Sequence, residues 1–203
     1  MEKKFENCSL SDLTSRQGAL YPMDKDDTRS EFVRDYTRIL HSTAYRRLKH
    51  KTQVFFNTSN DHVCTRNEHV QHVESVSFSI AHGLRLNTEL TRAIASGHDL
   101  GHAPFGHEGE KVINIRLNKE LSKEYLEPLC YMKDSATDKR IFWHEQNGLR
   151  FVDKIELLPD IDGKYHNLSL TYAVRDGIVS HCGEIDEKSI KPRKEKCDLY
   201  SIN

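Results

Sequence analysis

The sequence predicts an all-α protein, and three observations support this fold class. Apolar side chains recur every three or four residues in several stretches, as they do along one face of an α-helix. No long stretch alternates apolar and polar residues, which is the pattern of a half-buried strand. Charged residues make up 30% and apolar residues 36% of the chain, a composition that suits amphipathic helices.

The composition also excludes several classes of protein. A length of 203 residues predicts one domain, with two small domains as the alternative. A net charge of −1 indicates neither nucleic acid nor an anionic membrane as a partner. No run approaches the ~18–20 apolar residues of a membrane span, and the N-terminus lacks the apolar segment of a secretory signal. The five cysteines are widely spaced and odd in number, which predicts reduced thiols in a cytoplasm.

The helices are expected in a simple order along the chain. The first should begin near Asp27 to Ser30, where Asp and Ser side chains can cap it. Residues 160–167 are rich in turn-forming side chains and should form a loop. The expected helices span about residues 27–47, 66–86, 89–100, 107–121, 145–158 and 170–181.

The second expected helix carries a histidine on its apolar stripe. This stripe consists of His69, Val73, Val76, Ile80 and Leu84, which recur at helical spacing. We expect the stripe to face the core, with the histidine at the start of the helix. A buried histidine needs a polar partner, and a metal ion is one candidate.

The stretch Gly97–Glu110 carries the densest set of reactive side chains. It contains three histidines and three acidic residues, interleaved with glycines that let the backbone turn. His98 and Asp99 are adjacent and can offer a nitrogen and an oxygen to one ion. Gly101 and Pro104 predict that a helix ends here and a loop begins. Scattered exposed residues are the alternative, but this density favours a metal or catalytic site.

Five segments of the sequence form a recognisable set. They are Arg47–Phe55 (RLKHKTQVF), Arg66–His69 (RNEH), His98–Glu110 (HDLGHAPFGHEGE), Trp143–Gln146 (WHEQ) and Leu168–His181. This set resembles the HD superfamily of metal-dependent phosphohydrolases, in its deoxynucleoside triphosphate triphosphohydrolase or dGTPase-like branch. The resemblance implies an HD-type helical bundle over residues 27–185. Residues 1–26 would then be an irregular arm, and 186–203 a charged tail or the start of a missing part.

The resemblance implies a divalent metal site. By position in the motifs, the ligands would be His69, His98 and Asp99. The cofactor would be Mn²⁺, Mg²⁺ or a similar transition metal. The family has a further aspartate ligand in a later helix, and no matching segment is present in this sequence. Asp176 is the best internal substitute, although its family-like context argues against that role. We therefore expect the chain to be truncated at its C-terminus.

The resemblance also implies a catalytic set. His107 and Glu110 match an acid/base pair, and their i, i+3 spacing suits one helical turn. His144 matches a histidine involved in leaving-group departure, and either histidine could donate that proton. The positions that would contact substrate are Arg66 and His102 for phosphate and Gln53 for deoxyribose. The remaining histidines are expected to be structural, with His72 the closest competitor: His41, His50, His62, His72, His82, His166 and His181.

The implied activity is hydrolysis of a deoxynucleoside triphosphate, with dGTP expected first, to the deoxynucleoside and tripolyphosphate. Water would attack the α-phosphorus. We also expect a homo-oligomer located in the cytoplasm. Two alternatives stay open. One is another HD-type phosphohydrolase acting on a nucleoside monophosphate or a cyclic dinucleotide. The other is a truncated chain without activity that binds a nucleotide or a partner, and the missing aspartate favours this one.

Overall fold

A computed structural model of the chain describes residues 13–16, 26–51, 64–119, 132–133 and 140–181. Helices dominate this part, which confirms the predicted all-α class. They are α1 (Glu31–His41), α2 (Thr43–Arg47), α3 (Arg66–Gly83), α4 (Thr88–Gly97), α5 (Gly106–Lys119), α6 (His144–Arg150) and α7 (Tyr172–Ser180). A 3-10 turn (Leu48–His50) follows α2, and a π-helical turn (Phe151–Ile155) follows α6.

The strands of the described residues are two residues long and form two antiparallel pairs. β1 (Met132–Lys133) pairs with β2 (Arg140–Ile141). β3 (Leu158–Pro159) pairs with β4 (Tyr165–His166), so the predicted loop over residues 160–167 includes the tip and second strand of a small hairpin.

The first expected helix is divided by Ser42. This residue has extended backbone angles (φ −68°, ψ 151°), and its hydroxyl accepts a hydrogen bond from the Tyr45 N–H. The same hydroxyl donates to the carbonyl oxygen of Ile39 at 2.7 Å. Ser42 therefore ends α1 and caps α2. The spacing of apolar residues continues across this break, so periodicity alone does not reveal it.

The predicted inward stripe on α3 is wrong beyond the first turn of the helix. Val76, Ile80 and Leu84 are 59%, 57% and 65% exposed. The buried positions of α3 are instead Arg66, Val70 and Ala81, which lie about one residue round the helix from the stripe. The packed face is polar in its middle: Glu74 there accepts hydrogen bonds from Tyr36, Arg92 and Ser96. Because charge rather than apolar area joins α3 to its neighbours here, hydrophobic periodicity indicated the wrong face.

α4 lies at the centre of the bundle, where it packs against α1, α3 and α7. Its buried positions are small, namely Ala93, Ala95, Ser96 and Gly97. A Cβ added at Gly97 would lie 2.7 Å from Cδ1 of Ile178 in α7, so the two helices approach closely. The core around them contains Phe32, Ile39, Leu48, Val70, Leu100, Val152, Leu168, Leu170, Val174 and Ile178. The end of α4 is therefore held inside the protein.

Candidate metal centre and catalytic site

The first cluster forms where α4 ends. His98 follows the last residue of α4, Asp99 comes next, and His69 reaches them from the first turn of α3. One donor atom from each of the three lies within 4.8 Å of the others. Nδ1 of His98 is 2.7 Å from the carbonyl oxygen of Ala95. Because a carbonyl only accepts, Nδ1 carries the proton, and Nε2 is left with a lone pair that could bind a metal.

Asp99 is charged and tightly held. Nη1 of Arg66 donates to its Oδ2 at 2.7 Å, and Nε2 of His102 lies 3.1 Å from its Oδ1. Burial alone would raise the pKa of Asp99, but the hydrogen bond from His102 and the positive charge around it lower that pKa well below its usual range. Burial lowers the pKa of His98, which keeps this imidazole neutral. A neutral imidazole and a carboxylate are the forms that bind metal.

These residues fit a divalent ion. Two imidazoles and one carboxylate match the ligands of borderline divalent metals such as Zn²⁺ and Mn²⁺. Asp176 is buried on α7 and accepts a hydrogen bond from Ser180, and it belongs to none of the donor clusters in the described part of the chain. The described residues thus bring three candidate ligands together at this centre.

A second cluster lies beside the first. Donor atoms of His102, Glu110 and His144 lie within 4.8 Å of one another. The rings of His102 and His144 stack at 3.8 Å between centroids, with 13° between planes. Nδ1 of His144 lies 3.0 Å from Oε2 of Glu110, whereas Nδ1 of His107 lies 3.9 Å from the same oxygen. Glu110 therefore stands between two histidines and is hydrogen-bonded to His144, a partner that local spacing does not show.

Glycine explains how the loop after α4 reaches α6. A Cβ at Gly101 would lie 1.9 Å from the carbonyl oxygen of His144, so only glycine permits this approach. The amide of Asn147 donates to the Gly101 carbonyl at 2.8 Å. Further along the loop, Phe105 and Gly106 have positive φ values of 67° and 59°. The loop is thus fixed against the first turns of α6, which brings His102 onto His144.

Two further side chains of the site were not selected from the sequence. Glu145 is 1% exposed and lies next to His144, with Oε1 at 3.4 Å from Nε2 of that histidine. His181, expected to be structural, has its ring 5.2 Å from that of His98 and 5.6 Å from that of His144. The sequence held one weak sign that His181 belongs to the site: it directly follows the last residue of α7, as His98 directly follows the last residue of α4. Gln53 lies outside the described residues, and His72 is exposed.

The helical bundle and its central His-Asp pair define a protein with a buried centre suited to a divalent metal. A family model described as HD domain matches residues 66–199, more than half of the chain. The chain therefore belongs to the HD domain family.

Curated relatives named deoxyguanosinetriphosphate triphosphohydrolase-like protein are similar to this chain. The one from Caldanaerobacter subterraneus subsp. tengcongensis is 44% identical over 158 residues, covering 78% of this chain and 39% of the relative. The one from Desulfatibacillum aliphaticivorans is 39% identical over 188 residues, covering 89% of this chain and 46% of the relative. The one from Bordetella pertussis is 37% identical over 172 residues, covering 85% of this chain and 40% of the relative. The chain spans less than half the length of these relatives. No helix in the described segments has the length and apolar character needed to cross a membrane.

Proposed function

We propose that the protein is a metal-dependent phosphohydrolase that converts deoxynucleoside triphosphates, dGTP first among them, to the deoxynucleoside and tripolyphosphate. The observation that carries this proposal is the direct contact between the two clusters. His102 bridges them, with Nε2 on Asp99 at 3.1 Å and its ring stacked on His144 at 3.8 Å. A metal centre and a proton-transfer group thus lie on either side of one imidazole. The dGTP triphosphohydrolase-like names of the relatives support the substrate class.

The metal would be held by His69, His98 and Asp99. When bound, it would lower the pKa of a coordinated water and polarise a phosphoryl oxygen. The arrangement of the protein groups supports this use of the site, because Nδ1–H of His98 donates a hydrogen bond to the carbonyl oxygen of Ala95, which fixes the orientation of the ring. Arg66 holds Asp99 from the other side.

Arg66 is also suited to bind a phosphate. Its Nη1 is used by Asp99, while its Nε is buried and has no hydrogen-bond partner among the described residues. A guanidinium presents its N–H donors in a planar fork that matches the oxygens of a phosphate, so this N–H can donate to a phosphoryl oxygen. Lys51 adds a second positive charge close by, since its ammonium donates to the carbonyl of His102 at 2.9 Å.

His102 is better suited to hold a water than a bare phosphate oxygen. Burial lowers its pKa to about 4, so the ring is neutral at physiological pH. Nε2 carries the proton because it donates to Asp99, and Nδ1 is left as an acceptor. That nitrogen is buried and lacks a hydrogen-bond partner in the described segments. It can therefore orient a water for attack on the α-phosphorus.

Two histidines flank Glu110, and either can supply the proton that the departing 5′-oxygen requires. His107 is half exposed and can approach a substrate from the solvent side. His144 is buried and hydrogen-bonded to Glu110. Burial alone would lower the pKa of His144, but the hydrogen bond to Glu110 and the charges of Glu145 and Glu110 raise that pKa above its usual value. General acid catalysis of this kind contributes typically ~10²–10⁴-fold to a rate.

The test is a product assay with the full chain, Mn²⁺ and dGTP. Anion-exchange chromatography separates tripolyphosphate, pyrophosphate and single phosphates. Tripolyphosphate supports the proposal, and a His98→Ala/Asp99→Ala variant should release none. Pyrophosphate or single phosphates would favour another HD-type phosphohydrolase. No product, with nucleotide binding retained, would favour an inactive nucleotide-binding chain, the candidate that the three-ligand metal centre suggests.

A further inference from the structure

We propose that the chain binds a second divalent transition-metal ion through His144, Glu145 and His181. One donor atom from each of these residues lies within 4.8 Å of the others. Two imidazoles and one carboxylate form a three-ligand set that proteins use for catalytic zinc and for non-haem iron. The site adjoins the His69–His98–Asp99 centre but shares none of its ligands.

Glu145 is the first reason to place a cation here. Its side chain is 2% exposed, and neither carboxylate oxygen has a hydrogen-bond partner within the described residues. A buried carboxylate without hydrogen bonds is unfavourable unless a cation or a proton compensates it. In the described part of the chain its charged contact is with Nε2 of His144 at 3.4 Å, and this contact is not a hydrogen bond in this geometry. A metal ion between the two side chains would satisfy both.

His181 is held in the same way as the predicted metal ligand His98. Nδ1 of His181 lies 2.6 Å from the carbonyl oxygen of Ile178, three residues earlier, just as Nδ1 of His98 lies 2.7 Å from that of Ala95. Each histidine directly follows the last residue of its helix, α7 and α4 respectively. In both rings Nδ1 donates to a carbonyl, which leaves Nε2 free to bind a metal. Helix geometry therefore presents the two imidazoles alike.

His144 completes the set through a carboxylate. Its Nδ1 lies 3.0 Å from Oε2 of Glu110, so Nδ1 carries a proton and Nε2 faces Glu145. A carboxylate–histidine–metal arrangement of this kind fixes the ring and raises its basicity. The competing interpretation is an imidazolium between two carboxylates, with no metal. In that case Nε2–H should donate to Glu145, and the geometry shows no such hydrogen bond.

The second ion would change the assignment of roles in the proposed reaction. With Nε2 of His144 bound to a metal, that ring cannot donate a proton, and the general acid would be His107. A second cation beside the first would also neutralise charge on a polyphosphate. The site itself does not depend on the proposed substrate, because its ligands are defined without one.

The test counts metal ions on the full chain in the absence of nucleotide. Protein equilibrated with Zn²⁺ by dialysis is analysed for zinc per chain, and the Co²⁺-loaded form is examined by visible absorption. We expect two ions in the wild type, and one in each of Glu145→Gln and His181→Asn. Asp99→Asn should also retain one ion, with the Co²⁺ spectrum of the other site. Glu110→Gln should weaken the second site by about 10–100-fold, the usual effect of losing such a supporting group.

His166→Asn is the matched control, because this histidine is half exposed on the β3–β4 hairpin and pairs with Asp160 at 2.6 Å. It should retain two ions. Circular dichroism checks that each variant is folded. In a variant that binds only one ion, the Co²⁺ spectrum shows which of the two sites holds it. One ion in the wild type that is lost in Asp99→Asn, or two ions in both Glu145→Gln and His181→Asn, would overturn the proposal. Two ions without dGTP hydrolysis would contradict only the proposed function.

Discussion

The approach of the loop after α4 to helix α6 can be tested with a single methyl group. In Gly101→Ala the new Cβ would lie 1.9 Å from the carbonyl oxygen of His144, 2.2 Å from the backbone nitrogen of Gly148 and 2.8 Å from the carbonyl carbon of Asn147. All three are backbone atoms, so no side-chain rotation can relieve the overlap. The loop and α6 must move apart, and the stack of His102 on His144 must open.

The expected cost follows from these distances. Carbon atoms in contact prefer a separation of about 3.5–4.0 Å, so the backbone must shift by more than an ångström. Overpacking a well-packed interior costs typically about 1–3 kcal/mol, and overlap with fixed backbone belongs at the upper end. We expect a loss of about 3 kcal/mol. For a domain of this size, that corresponds to a fall in Tm of about 6–12 °C.

Thermal unfolding followed by circular dichroism measures the effect, and dGTP hydrolysis measures its consequence at the site. Gly83→Ala is the matched control, because a Cβ at the end of α3 meets nothing within 4 Å. Alanine there should leave Tm unchanged or raise it slightly, since it restricts the unfolded chain. Activity should fall in Gly101→Ala and persist in the control. If the two variants unfold at the same temperature, the close approach of Gly101 to α6 is refuted.

Three further outcomes are expected. Arg66→Leu leaves Asp99 buried and charged without its arginine, so the free energy of unfolding of the metal-free protein should fall by about 3–5 kcal/mol. Added Zn²⁺ should restore part of that free energy. A variant that is destabilised relative to the wild type by the same amount with and without zinc would contradict this. Burial lowers the pKa of His102 to about 4, so the stability that the neutral ring contributes is present above about pH 6.5 and is lost as the pH falls towards 4. In the metal-free protein, His102→Asn should therefore flatten the dependence of the free energy of unfolding, measured with urea, on pH between these values. An unchanged slope would argue against a neutral buried ring. His107→Ala should reduce kcat by about 10²–10⁴-fold with little change in Tm, because the ring is half exposed; the exposed His72→Ala is its control, and equal kcat values would remove His107 from the acid role.

The sequence was sufficient for features that depend on covalent spacing. His98 and Asp99 are adjacent, so any fold brings both to the same place, and the glycines and proline after them predict the end of a helix. The observed α4 ends at Gly97, three residues before the expected end at Leu100, so His98 and Asp99 lie just beyond the helix. Helical periodicity likewise sufficed for the all-α class, because each helix repeats its own pattern locally.

Contacts between distant segments could not be predicted in this way. Glu110 accepts a hydrogen bond from His144, which is 34 residues away in the sequence. The local candidate His107 is not within hydrogen-bond distance of Glu110. His181 reaches the site only because α7 packs beside α4, through the close approach of Ile178 to Gly97. The face of α3 that is buried depends on hydrogen bonds to Glu74 from neighbouring elements, which no periodicity within α3 records. Local pattern sets what each helix can offer, and the packing of helices against one another selects which side chains meet.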